Sequence, residues 1–137
     1  MSYKVSFFSS IPGKKFPWQH ILEPLALGIL QKRAPVSIIL CTDAEQRELN
    51  RKYRKLNKVT DVLSFVWNEP HLLGEIYIAE GQVKKQAPLY GNTYYKELKR
   101  VLVHGMLHLC GYNHQTQAER KIMREKEATV LCRTKRL

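Results

Sequence analysis

The stretch TYYKELKRVLVHGMLHLCGYNH, residues 93–114, decides the fold and carries the chemistry. Tyr94, Leu98, Leu102 and Leu109 fall among the apolar positions of one helical face, which predicts a helix over residues 93–110, the longest of the chain. Gly111 is where that helix should stop, because glycine adopts the left-handed conformation of a helix C-terminus at no steric cost. Three of the five histidines follow one another here as H-x3-H-x5-H.

His104 and His108 lie four residues apart, so a helix points both imidazoles to one side. With the helix broken at Gly111, the segment YNH has the length to bring His114 back to the same point. Three imidazoles leave a fourth tetrahedral position to water, the pattern of a catalytic zinc site as opposed to a structural one. One Zn2+ held by His104, His108 and His114 plus water is therefore expected, although nitrogen ligands also suit Ni2+ and Cu2+. The same spacing occurs in the metzincin peptidases, H-E-x-x-H-x-x-G-x-x-H, whose glutamate is the general base. Here that position is Gly105, so a zinc peptidase built on this chain would lack its proton acceptor. Cys110, two residues beyond His108, points to another helical face and is read as a core filler.

Working outward, YKVSFF (residues 3–8) reads as a strand ended by the turn-forming SSIPGKK. A helix is expected over residues 18–32, with Pro24 kinking it or delaying its start. The β-rich run VSIILCT (residues 36–42) is a buried strand, and Thr42 with Glu45 forms a capping-box pattern that opens a helix running to Arg54. TDVLSFVW (residues 60–67) and GEIYIA (residues 74–79) read as a hairpin joined by the loop NEPHLL. A helix over residues 82–87 is cut by Pro88, and Thr116 with Glu119 is a second capping box opening the last helix. The order β-α-β-α-β-β-α-α predicts an α+β fold: one domain over residues 1–137, a mixed sheet of about four strands and about five helices. The first two strands, joined through a helix, should be parallel.

The chain has 137 residues, 44% of them hydrophobic and 26% charged, which suits one soluble globular domain and excludes disordered and fibrous classes. Its most apolar early segment, ILEPLALGIL, contains Glu23 and Pro24 and is far shorter than the roughly 20 residues of a membrane span. The N-terminus lacks the apolar core of a signal peptide, so a cytoplasmic location is expected. Cys41, Cys110 and Cys132 form no C-x-x-C pair and read as free thiols. The formal charge of +11 is clustered: RKYRKLNK (residues 51–58) holds five basic residues in eight, and Arg120, Lys121, Arg124, Arg133, Lys135 and Arg136 crowd the C-terminal part. Clustered positive charge points to nucleic acid. His20 and His71 stand apart and read as ordinary histidines.

HGMLHLCGYNH, together with LNRKYRKLNKVTDVLSF and GEIYIA, resembles the YbeY family of bacterial metal-dependent endoribonucleases, which take part in ribosomal RNA maturation. The resemblance runs from about Leu49 to the C-terminus. It implies a mixed sheet flanked by helices, His104, His108 and His114 as zinc ligands, and Arg54 of KYRK as the family's functional arginine. The chain departs from the family at Asn113 and at Glu75, where aspartate is usual; the second change keeps a carboxylate and the first removes one.

Cleavage of single-stranded RNA, ribosomal RNA and the ribosome foremost, is the activity so implied, with no membrane and no nucleotide cofactor involved. Zinc-bound water of lowered pKa would attack the phosphodiester, with His114 and Arg54 as catalytic residues and Arg54 meeting the phosphate charge with a planar fork. Arg51, Lys52, Lys55 and Lys58 would hold the RNA backbone without reading sequence. Tyr53, Phe65 and Trp67 read first as core aromatics and second as platforms for unpaired bases. Ser64 should lie near the site. A zinc peptidase, and a non-catalytic RNA- or ribosome-binding module stabilised by zinc, are the competing functions.

Overall fold

Val5–Ser9 and Val36–Cys41 form β1 and β2, paired in parallel from Val5 opposite Val36 to Ser9 opposite Leu40. In this computed structural model residues 4–31, 35–70, 72–112 and 115–134 are described. Between β1 and β2 runs α1 (Gln19–Leu30), which keeps its helical path through Pro24 and buries Leu22, Leu25, Ala26 and Leu30. It starts from Trp18, held in the left-handed region at φ 54°. The Trp18 ring meets Tyr94 and Tyr95 edge-on, with centroids 5.5 and 4.9 Å apart. The helix expected to reach residue 32 thus ends at Leu30.

The expected capping box opens α2 (Asp43–Arg54): the Thr42 hydroxyl accepts from the Glu45 N–H, and the Glu45 carboxylate accepts from the Thr42 N–H. This helix is almost wholly polar. Its buried residues are Gln46 and Asn50, and Gln46 donates to the Tyr77 carbonyl at 3.1 Å while accepting from the Cys41 thiol. β3 spans Val62–Glu69 and β4 spans Leu72–Ala79, so four residues of NEPHLL belong to strands and Pro70 stands in a turn; His71 lies outside the described residues. Of these hairpin strands, β3 has the eight residues expected but lies two positions further along, and β4 begins two residues earlier than the sequence suggested.

The sheet order is β1-β2-β4-β3, with β2 and β4 parallel, β3 and β4 antiparallel, and β3 at an edge. The mixed α+β sheet is as expected. After it come α3 (Glu80–Gln86), a 3-10 turn over Pro88–Tyr90, α4 (Tyr94–Leu109) and α5 (Gln117–Thr134). At 18 residues α5 exceeds the 16 of α4, which corrects the expectation that α4 is longest. The periodic apolar face of α4 marks its extent in the sequence, whereas among the described residues α5 gives the core Met123 and Val130, with Leu131 packed against them, thinly spread among charges. The core lies between α1, α4 and the sheet, with Ile38, Leu40, Ile76, Ile78, Leu98, Leu102 and Met106 fully buried.

Among these apolar residues Glu97 is buried, and it ties three segments together. Its carboxylate accepts from Gln86 at 2.6 Å, from Asn92 at 2.9 Å, and from the Arg100 guanidinium at 2.9 and 2.6 Å. Burial pushes this carboxyl up, but the hydrogen bonds from Arg100, Asn92 and Gln86 outweigh it and hold the group below the ordinary value of 4.5. A lowered folded-state pKa stabilises fully above the unfolded value and is lost as the pH falls through the folded one. Glu97→Ala is expected to cost about 2–3 kcal/mol near neutral pH by leaving a half-buried guanidinium and the Asn92 amide without this acceptor and Gln86 with Asp61 alone. In urea melts the gap from the parent protein should narrow below about pH 4.5; a gap equal at pH 7 and pH 3 would show that the carboxylate charge plays no part.

Candidate functional site

The last turn of α4 closes as a Schellman motif. Gly111 has φ +100° and donates to the His108 carbonyl at 3.0 Å, and the Tyr112 N–H reaches back to the Leu107 carbonyl at 3.1 Å. Glycine stops the helix as the sequence indicated, and the chain turns while Tyr112 packs on the core. Asn113 and His114 lie outside the described residues, and α5 opens soon after with its expected capping box between Thr116 and Glu119.

His104 and His108 project from successive turns of α4, both half-buried. The Nδ1 of His104 lies 2.7 Å from the Glu127 carboxylate on α5, which is almost covered. Nothing in the sequence singled out Glu127, one acid among the alternating charges of REKE; its role depends on how α5 docks on α4. Cys110 is turned away from the histidines, its thiol 3.8 Å from the Ile29 carbonyl of α1, as expected of a core filler. Among the described residues, no three His, Cys, Asp or Glu side chains gather into a metal-binding group.

Between the two histidines, Gly105 lies directly on the sheet. A Cβ there would stand 3.0 Å from methyls of Ile76 and Val62 and 3.2 Å from the Ser64 hydroxyl. The peptidase base would have to occupy this position, and it faces packed side chains. Ser64 donates its hydroxyl to the Gly105 carbonyl at 3.1 Å, while its own carbonyl accepts from Arg54 Nη2 at 3.0 Å. Ser64 is therefore near the histidines, as expected, and it links them to α2.

The C-terminal end of α2 carries Arg51, Lys52 and Arg54, where cations also suit the negative pole of the helix. Lys55 closes the helix at φ 56°, and the Asn50 amide binds the Lys58 carbonyl at 3.0 Å, folding the basic loop against the helix. Lys52, Lys55 and Lys58 are exposed. Arg51 pairs with Glu48, a contact that lowers the Glu48 carboxyl and raises the guanidinium. Arg54 also lies over the Phe65 ring, 5.6 Å from its centroid.

The three aromatics do not belong to the core. Tyr53 and Trp67 are 48% and 38% exposed and Phe65 is half-buried. The core expectation fails because α2 ends at Arg54 and leaves the outer half of β3 uncovered. His20 is exposed, as an ordinary surface histidine would be.

A helix bearing two histidines against a mixed sheet, with a cationic helix end bonded to the edge strand of that sheet, makes a candidate site suited to a polyanionic substrate. The family model described as Endoribonuclease YbeY matches residues 17–135, beginning well upstream of Leu49. An endoribonuclease YbeY of Thermodesulfovibrio yellowstonii is 44% identical, the match covering 96% of this chain and 82% of the relative. One from Endomicrobium trichonymphae is 43% identical over 71% of this chain and 73% of its own. The solution structure of TM1509 from Thermotoga maritima superposes with a TM-score of 0.64 at 32% identity, covering 96% of this chain and 89% of that one. The chain belongs to the endoribonuclease YbeY family, and an endoribonuclease family implies an RNA substrate. No helix among the described residues is long and apolar enough to cross a membrane.

Gly105→Glu should lower stability by about 3 kcal/mol or more, since a carboxylate would be driven against Ile76 and Val62. A urea midpoint matching the parent protein would show that α4 can move off the sheet freely.

Proposed function

We propose that the protein is a zinc-dependent endoribonuclease specific for single strands, acting in the cytoplasm on ribosomal RNA and in association with the ribosome. The observation that carries this is the hydrogen-bonded path from Arg54 through Ser64 to Gly105, which sets a cationic helix end beside the histidine turn. His104, His108 and His114 are the residues that would hold the metal. Two imidazoles one turn apart fit Zn2+, and the carboxylate on His104 Nδ1 fits it further, since such a partner fixes the ring and makes it a better ligand through Nε2. Bound zinc would lower the pKa of its water toward about 7, or would polarise a phosphoryl oxygen.

Arg54 anchors one nitrogen on Ser64 and presents a permanently charged fork to phosphate, where negative charge gathers during cleavage. Lys52, Lys55 and Lys58, with Arg51, hold the backbone by charge and carry no sequence information. The peptidase alternative loses support because position 105 is packed on the sheet.

Metal analysis of the purified protein should find about one zinc per chain. His108→Ala should lose both the metal and RNA cleavage while keeping affinity for RNA. A metal-loaded parent protein that binds unstructured RNA without cutting it would be a binding module, and one that cut casein instead would be a peptidase. Glu127→Gln should weaken zinc binding about 10-fold in a chelator competition; unchanged affinity would leave Glu127 without a part in holding His104. Replacing Lys52, Lys55 and Lys58 together with alanine should reduce the salt slope of RNA affinity by about 2, and an unchanged slope would remove this patch from the RNA path.

A further inference from the structure

Successive residues of a strand point to opposite faces of the sheet. Val62 and Ser64 face α4, so Phe65 and Trp67 face the other way, on the side of α2. Their rings lie nearly parallel, 16° apart in plane with centroids separated by 5.7 Å, and Tyr53 closes the group edge-on at 5.3 Å from Phe65 and 6.4 Å from Trp67. The group is held from beneath. Glu75, opposite Phe65 on β4, accepts from the Trp67 indole at 2.7 Å and from the Tyr77 hydroxyl at 3.0 Å. Burial, with the hydrogen bond and charge of Glu75, pushes the Tyr77 hydroxyl up to about 12, so it remains a donor at neutral pH. Two donors thus engage the Glu75 carboxylate, and the indole is fixed in orientation while more than a third of the residue stays open to solvent.

We propose that Tyr53, Phe65 and Trp67 form a stacking shelf for unpaired bases of an RNA strand whose backbone is held by Lys52, Arg54 and Lys55 as it crosses the β3 edge. The inference rests on the RNA reading above and adds where the bases go. Exposed aromatic faces beside cations are what single-stranded nucleic acid binds, because every base has a π-face and every nucleotide a phosphate. Lys52 stands 5.2 Å from the Tyr53 ring centroid and Arg54 5.6 Å from that of Phe65, so both charges border the apolar surface. A second copy of this chain suits the shelf poorly, because it would bring the same cations to the contact. The Ser64 carbonyl on the strand edge is also already taken by Arg54.

The test uses a 2′-O-methyl oligoadenylate of about ten nucleotides and an abasic oligomer of equal length and charge, bound to the parent protein at one ionic strength and each shown by gel to stay intact during the measurement. The base-bearing oligomer should bind about 10-fold more tightly. Trp67→Ala should bring that ratio close to one without altering the salt slope, and Trp67→Phe should keep most of it. Equal affinity of the parent protein for both oligomers overturns the shelf, and this comparison needs no variant to fold. A ratio that survives Trp67→Ala overturns it too, as would a dimer in sedimentation that this variant dissociates. If RNA is cleaved or bound with a normal salt slope while the ratio stays at one, only the shelf fails; if neither oligomer binds even at low salt, the RNA reading fails with it.

Discussion

The absence of a side chain at Gly105 lets α4 settle directly on β3 and β4, and the rest of the site inherits its geometry from that contact. Neighbouring helical residues project about 100° apart, so pinning Gly105 to Ile76 and Val62 also sets the rotation of the helix. His104 is thereby presented to α5, while Ser64 is brought under the backbone between the two histidines. A larger residue at position 105 would lift or turn the helix, and every neighbour of the histidines would lose its registration.

Polar residues that are buried in this fold sit where elements meet. Gln46 joins α2 to β2 and β4, Asn50 secures the basic loop, and Gln86 connects Asp61 to Glu97. Each is satisfied by partners from a different segment, so their cost of burial is offset while they define how the segments are aligned. Stability and site geometry are therefore coupled through the same few side chains. The apolar core supplies the driving force for folding, and these junctions decide where the cationic end of α2 lies.

Local signals in the sequence were sufficient for much of this. Thr42 with Glu45, Thr116 with Glu119, and Gly111 act within a few residues, and each forms the cap its spacing indicated. The parallel pairing of β1 and β2 follows from chain chirality, and it is found. What was not legible depended on contacts distant in sequence. The ends of β3 and β4 are set by their pairing with each other, and the exposure of Phe65 and Trp67 depends on where α2 stops covering them. Glu127 acquires meaning only when α5 lies along α4, and its sequence neighbours give no sign of it. Two of the three histidines expected to converge are described, on one face as their spacing required, and His114 lies outside the described residues.

The carboxylate beside His104 belongs to α5, while the histidine itself and the whole sheet precede it in the chain. A small domain folds as one cooperative unit, so the histidine turn and its acidic neighbour are ordered in the same transition. Loss of α5 by proteolysis would therefore strip His104 of that neighbour and the core of Met123 and Val130 in a single event.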